Sequence, residues 1–241
     1  MSKRLIVEAL RDDEETFLSA CHILAYQGHA AGLAGQVTCR DGDSTRMWTL
    51  PLGTGLDEAS KTKLLLVDES LETLHGTGKA NPATLFHSWI YRQHRHVRAI
   101  VHTHPPGLSA LSMLGIPFPV AHMDAAMFHD DCGFLARWPG VPTSDEEGSL
   151  IADVLHGKRS AFLVNHGIVC TGTTLPEAVY LTVFAERNAR MSLDALAAGG
   201  LQAIEPDAAQ QAHDFLLQPA IIEGTFAYWA RQARAGRRAW A

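Results

Sequence analysis

The stretch RAIVHTHPPG places two imidazoles, His102 and His104, one residue apart at the end of an apolar run. Side chains two apart on a strand share a face, so this pair converges while Thr103 points the other way. Two neutral imidazoles on one face suit Zn²⁺, Mn²⁺, Fe²⁺ or Co²⁺. A metal needs at least a third ligand, and a catalytic metal keeps one position open. The best third candidate is His166 in AFLVNHG, which also follows an apolar strand and has Gly167 to let the backbone turn closely beside it. The chain holds 13 histidines in 241 residues, and the others read differently. His22 and His29 read as surface or core groups at the first helix, and His94 and His96 as solvent-facing in a polar turn. His87, on the helix before the pair, reads as a residue that packs against or orients it. His122 in PVAHMD stands between a site role and a structural one.

These residues need elements to hold them. Asp12 to Ala30 has the apolar spacing of an amphipathic helix, with Phe17, Cys21, Leu24 and Ala25 on one face. QVTCR and TRMWTLP read as short strands around the turn DGDS, and LLLVD as a buried strand. Asp57 to Lys63 reads as the start of a short helix, and Thr84 to His94 as a helix feeding the strand VRAIVHTH. Pro106 to Leu114 begins as a helix, since proline suits a first helical turn. IPFPVAHMD reads as extended. Glu146 to His156 is a helix, and SAFLVNHGIVCTG holds one or two strands. Leu175 to Ala198 is the longest helix, with Pro176 and Glu177 in its first turn and Gly199-Gly200 after its end. Two more helices follow, near Pro206 to Leu217 and Ala220 to Arg234. Strands in the middle with long helices at both ends make a layered α/β fold. The length favours one domain, 1–241, with the helices of 206–241 as its extension.

The net charge of −6 gives no electrostatic case for nucleic acid, and the locally basic end ARQARAGRRAWA reads as a solvated helix terminus. No apolar run reaches the roughly 18 residues of a membrane span. The N-terminal stretch turns acidic at once, which argues against a secretory signal. Cys21, Cys39, Cys132 and Cys170 lack CxxC spacing and read as reduced thiols of a cytoplasmic protein.

The run HSWIYRQHRHVRAIVHTHPPGLSALS resembles the class II aldolase/adducin family, whose pattern is a helix HxxIYxxxxxV followed by a strand ending in HTHP. LVNHGIVCTGTTLPEAVYLTVFAERNAR resembles the family's NHG element and the long helix after it. AGQVTCR and LPLGTG occupy the positions of its glycine-rich substrate loops. The resemblance runs from about residue 13 to 200. It implies a three-layer α/β/α sandwich around a mostly antiparallel sheet, usually as a homotetramer with active sites between subunits. It also implies a divalent metal held by His102, His104 and His166, for which Zn²⁺ leads and Mn²⁺, Fe²⁺ or Co²⁺ are the alternatives.

The sequence departs from the sugar-phosphate aldolases of that family at one place. They carry PSSE four residues before the helix histidine that matches His87, and here the stretch is KANPATLFH. Ala83 stands at the glutamate position, and alanine cannot transfer a proton. Asn81 and Pro82 lie where serine hydroxyls would hold a phosphate. AGQVTC likewise replaces a Gly-Asn-Ser phosphate cradle. The expectation is a metal-dependent lyase, an aldolase or a decarboxylase. It would cleave a C–C bond in a small, unphosphorylated carboxylate or hydroxycarbonyl compound through a metal-stabilised enolate. His122, Asp124 and Tyr228 are the candidate proton donors. Asn81, Thr84, Gly35, Gln36 and Gly53 are the candidate substrate contacts. The alternatives are an iron oxygenase on the same histidines and a non-catalytic, adducin-like binding protein.

Overall fold

The computed structural model describes residues 3–141 and 144–236, with side chains from residue 14 onward. The last five residues of the basic C-terminal run fall outside it. In chain order the elements are α1 (Lys3–Tyr26), β1 (Gln36–Arg40), β2 (Met47–Thr49), β3 (Leu65–Val67), β4 (Thr73–His75), α2 (Leu85–Gln93), β5 (Ala99–Thr103) and α3 (Pro106–Ser112). Then follow β6 (Cys132–Leu135), α4 (Asp145–Val154), β7 (Ser160–Leu163), β8 (Gly167–Gly172), α5 (Leu175–Ala197), α6 (Pro206–Leu216) and α7 (Pro219–Arg234). The strands form one eight-stranded sheet in the order β4-β3-β2-β1-β5-β8-β7-β6. Every pairing is antiparallel except β6 with β7, which run parallel.

The sheet divides two cores, as the period-2 alternation of its strands requires. On β5, Ala99 and Val101 face a core shared with α1, α5 and α7, while Ile100 faces the core under α2 and α4. β8 does the same with Ile168 and Cys170 on one side and Val169 on the other. Both central strands are buried on both faces, which explains their near-continuous apolar sequence. The result is the expected three-layer sandwich.

Helix punctuation follows local chemistry. Thr174 caps α5 by accepting from the Glu177 N–H at 3.3 Å, and Pro176 sits in the first turn where a missing N–H costs nothing. α1 begins nine residues before the expected Asp12, because KRLIVEALR consists largely of strong helix formers. The expected short helix from Asp57 is instead two 3-10 turns, Leu56–Glu58 and Lys61–Lys63. The segment around IPFPVAHMD is extended and leads into a 3-10 turn, Met123–Phe128.

A three-histidine centre at the sheet rim

His102 is the last but one residue of β5, and its even-numbered register places it on the Ile100 face, under α2. It is buried, with the Phe86 ring edge-on at 5.2 Å. His104 follows the strand end, and Pro105 and Pro106 then turn the chain into α3. His166 lies in the tight link between β7 and β8. Asn165 takes φ +54°, a left-handed conformation that asparagine tolerates, so the link can reverse within three residues. Gly167 is required for another reason. A Cβ there would lie 2.7 Å from the Thr103 carbonyl and 3.0 Å from the His104 ring.

The three imidazoles converge. Ring centroids are 4.5 Å apart for His102–His104, 4.9 Å for His102–His166 and 4.6 Å for His104–His166. One nitrogen of each lies within 4.8 Å of the others, and among the described residues no carboxylate or thiol joins the cluster. His102 Nδ1 is 2.9 Å from the Ile168 carbonyl. A carbonyl oxygen only accepts, so Nδ1 carries the proton and Nε2 presents its lone pair. The Nε2 atoms of His102 and His104 approach to 2.8 Å. Burial holds all three rings neutral: His102 lies well below the ordinary imidazole value, His104 is lowered, and His166 is lowered to about 4 by burial and then by His104. Neutral imidazoles with one locked tautomer are what a divalent cation requires. The donor set therefore fits such a metal.

A further set of groups holds the centre from outside. Gly107 N and Leu108 N, immediately after HTHPP, donate to the buried Glu186 carboxylate at 3.0 and 2.7 Å, and Arg190 Nε donates to the same group at 2.6 Å. His29 accepts or donates at 2.9 Å with Thr103 Oγ1, on the face opposite His102. His87 is buried and hydrogen-bonded to Thr38 Oγ1 at 2.8 Å, and its ring meets Phe86, which in turn packs on His102. Desolvation lowers His29 to about 3, with Arg190 adding to it, and lowers His87 to about 3 by itself. Glu186 was not singled out in the sequence. Its only signal is an acidic residue on the inner face of a long helix. His94, expected in solvent, is buried with Nε2 2.8 Å from the Ala152 carbonyl, because α4 packs over the turn that follows α2.

The substrate candidates largely gather. Gly35, Gln36, Gly53 and Asn81 line one cleft of about 30 Å³. Gln36 pairs with His102 across β1 and β5, which puts the cleft beside the centre. Gly35, at φ +98°, would bring a Cβ to 2.9 Å from the His102 carbonyl, so only glycine lets the loop pass here. Thr84 is not part of that lining; it is buried under the 3-10 turn Pro82–Thr84. Ala83 donates its N–H to Asn81 Oδ1 at 3.0 Å, so the asparagine caps this turn. Of the proton-donor candidates, His122 is half exposed and accepts from the Asp124 N–H at 3.1 Å. Asp124 pairs with Arg187 at 3.3 Å. Tyr228 is half exposed on α7 and lines a different cavity from the cleft beside His102.

Residues 15–193 match the model of the class II aldolase and adducin N-terminal domain, and the chain belongs to that family. A 4-hydroxy-3-prenylphenylpyruvate oxygenase/4-hydroxy-3-prenylbenzoate synthase from Streptomyces roseochromogenus subsp. oscitans is 30% identical over 74% of this chain, which spans 66% of that protein's length. A 3,4-dihydroxyphthalate decarboxylase from Arthrobacter keyseri is 29% identical, over 80% of this chain and 82% of the relative. Among solved structures, an L-fuculose 1-phosphate aldolase from Glaciozyma antarctica PI12 superposes with a TM-score of 0.83 at 25% identity. That match covers 93% of this chain and 90% of the other. The chain is therefore an enzyme of the lyase kind, and its three converging histidines could hold a divalent metal.

Proposed function

We propose that the substrate is a small, unphosphorylated carboxylate or hydroxycarbonyl compound and that decarboxylation is the favoured form of the C–C cleavage. The observation that carries this reading is the cleft beside His102. Among the described residues its lining contains no Lys or Arg, and its volume of about 30 Å³ holds about two water molecules. Gln36 lines it with a buried Oε1 that has no hydrogen-bond partner among the described residues. An acceptor there suits a substrate hydroxyl and repels a phosphate oxygen.

A divalent ion on His102, His104 and His166 supplies Lewis acidity at a carbonyl or carboxylate next to the breaking bond. The protein's own groups do the rest. The Ile168 carbonyl fixes the ring plane of His102, and Gln36 orients a hydroxyl on the same sheet face. Ala83 leaves no carboxylate at the position where the sugar aldolases move a proton. Loss of CO₂ needs no base to begin, and the carbanion then takes a proton from His122 or Asp124, or from Tyr228 of a neighbouring copy of the chain, since Tyr228 lines a separate cavity in its own. These three, with Thr84, Gly35, Gly53 and Asn81, are assigned their roles by this proposal.

The exposed Met113 and Leu114 beyond α3, and Leu33 and Leu52 at the cleft, support a homo-oligomer that covers the rim. A tetramer is the family's usual form. The proposed unit is a single domain over 1–241 whose C-terminal helices extend it, with α7 packed on α1 and α5. No described helix is long and apolar enough to cross a membrane, and a cytoplasmic location is part of the proposal. Zn²⁺ leads by ligand preference, with Mn²⁺, Fe²⁺ and Co²⁺ behind it.

The test is an anaerobic assay of metal-loaded protein against hydroxylated aromatic carboxylates, β-keto acids and L-fuculose 1-phosphate. CO₂ or aldehyde release from an unphosphorylated acid, abolished by chelation, supports the proposal. Cleavage of the sugar phosphate alone would refute it. The relative named as an oxygenase motivates a second arm: turnover that requires Fe²⁺ and O₂ would replace the lyase reading.

A further inference from the structure

A sizeable cavity lies away from the cleft beside His102, between the end of α1, the outer face of α5 and α7. Its volume is about 590 Å³, within the range of small-molecule sites. The walls are mixed. Tyr26, Phe184, Tyr228 and Trp229 supply aromatic surface, and Arg187 and Arg190 supply cationic donors. None of His102, His104 and His166 contributes to it.

Two features show a place for a polar ligand group. Tyr26 Oη and Gln27 Nε2 are both shielded from solvent, and neither has a hydrogen-bond partner among the described residues. Unsatisfied buried donors are costly, on the order of 1–3 kcal/mol each, so both groups favour a ligand oxygen that they can meet by turning toward the cavity. The charge balance of the wall also favours an anion. Among the described residues Glu186 is the only acidic one in it, and its oxygens already accept from Gly107, Leu108 and Arg190. Arg190 spends Nε on Glu186, but a guanidinium carries five N–H donors and this side chain is 55% exposed. Arg187 pairs with Asp124 through Nε and is 42% exposed.

We propose that this cavity is a second binding site, for an amphipathic carboxylate with an aromatic or branched apolar body. The carboxylate meets Arg190, Tyr26 Oη and Gln27 Nε2, and the body packs on Phe184, Tyr228 and Trp229. The site also has a route to the histidine centre. Arg190 holds Glu186, and Glu186 holds the backbone that follows HTHPP, so an occupant of the cavity bears on the position of His104.

The proposal does not depend on the lyase reading and is tested separately from it. Titrate indole-3-propionate into the purified metal-loaded protein by calorimetry, with indole-3-propanol as the uncharged counterpart. Repeat the titration with His104→Ala, Thr225→Trp and Tyr26→Phe. Thr225→Trp fills the cavity from its half-buried rim without changing charge. Tyr26→Phe removes an unpartnered buried hydroxyl, so it does not lower thermal stability and keeps the test valid should the larger residue fail to fold. The expected result is one saturable site per chain, bound by wild type and by His104→Ala within a few-fold of each other. The alcohol should bind at least tenfold more weakly. Thr225→Trp should weaken the acid at least tenfold and Tyr26→Phe severalfold. Binding that vanishes in His104→Ala but survives Thr225→Trp would place the acid at the histidines and overturn the proposal. So would equal binding of the alcohol, binding unchanged by Tyr26→Phe, or no binding at millimolar acid.

Discussion

β5 and β8 lie side by side, and their two ends are chemically unlike. At the rim end, His102, His104 and His166 converge as neutral rings with no carboxylate in the cluster. At the other end, Asp131, Arg159, Glu177 and His213 form a paired network. Asp131 accepts from the Arg159 N–H at 2.6 Å, from its guanidinium and from His213 Nε2 at 3.2 Å, and Glu177 accepts from Arg159 Nε at 2.9 Å. Thr173 N and Oγ1 close the remaining Glu177 oxygen at 2.7 and 2.8 Å. At the paired end two carboxylates share the Arg159 guanidinium, and the network ties β6, β7, α5 and α6 together. The rim end is a set of lone pairs with nothing to balance an added cation's absence or presence except the ion itself. One end is built for stability and the other for a ligand.

Removing a ligand should therefore separate function from folding. His104→Ala is expected to lose bound metal and to lower activity more than about a hundredfold, while thermal stability of the metal-free protein stays near wild type. Metal analysis and a melting curve on the same sample decide it. Retained activity would break the comparison.

Acid should weaken the molecule through its buried neutral histidines. His29 and His87 sit near 3 in the folded chain, whereas in the unfolded chain they bind protons below about 6.5. The unfolded state then holds more protons, so this contribution is fully present above pH 6.5 and is lost as pH falls toward 3. Between pH 7 and 4.5 each group should cost about 2 kcal/mol, read as a falling urea midpoint. A midpoint flat over that range would contradict the burial described.

The paired end predicts the converse of the first substitution. Asp131→Asn should lower stability by about 2 kcal/mol, less than a fully buried pair because Arg159 is 42% exposed. That corresponds to a melting point lower by about 4–8 °C. Metal content should not change, and a loss of metal would show that the two ends are coupled.

The smallest effect should come from Glu186→Gln. It keeps an acceptor for Gly107 or Leu108 but weakens the hold of Arg190, so metal affinity should fall by no more than about tenfold with little change in melting point. A chelator competition measures it.

The rim end was legible from the sequence because its signals are local. HTH needs only the period of a strand, and NHG needs only a glycine beside a ligand. The long helix was legible through its own caps, within one residue at its end. β6 was not: CGFL is four residues long, and its parallel partner β7 begins 28 residues later. The Asp131 network joins residues 28 and 82 apart, and no spacing rule connects them. His94 was misjudged because α4, not its own turn, buries it. Local chemistry can be read from sequence, while charge pairing across elements depends on a topology that sequence patterns leave open.

The most direct test is diffraction from crystals of the native protein, with anomalous data collected at the absorption edges of zinc, manganese, iron and cobalt. One divalent ion per chain is expected within bonding distance of His102 Nε2, His104 and His166, with His102 Nδ1 still on the Ile168 carbonyl. Crystals of active protein with no anomalous peak between these three rings, or with the ion held elsewhere, would contradict the account.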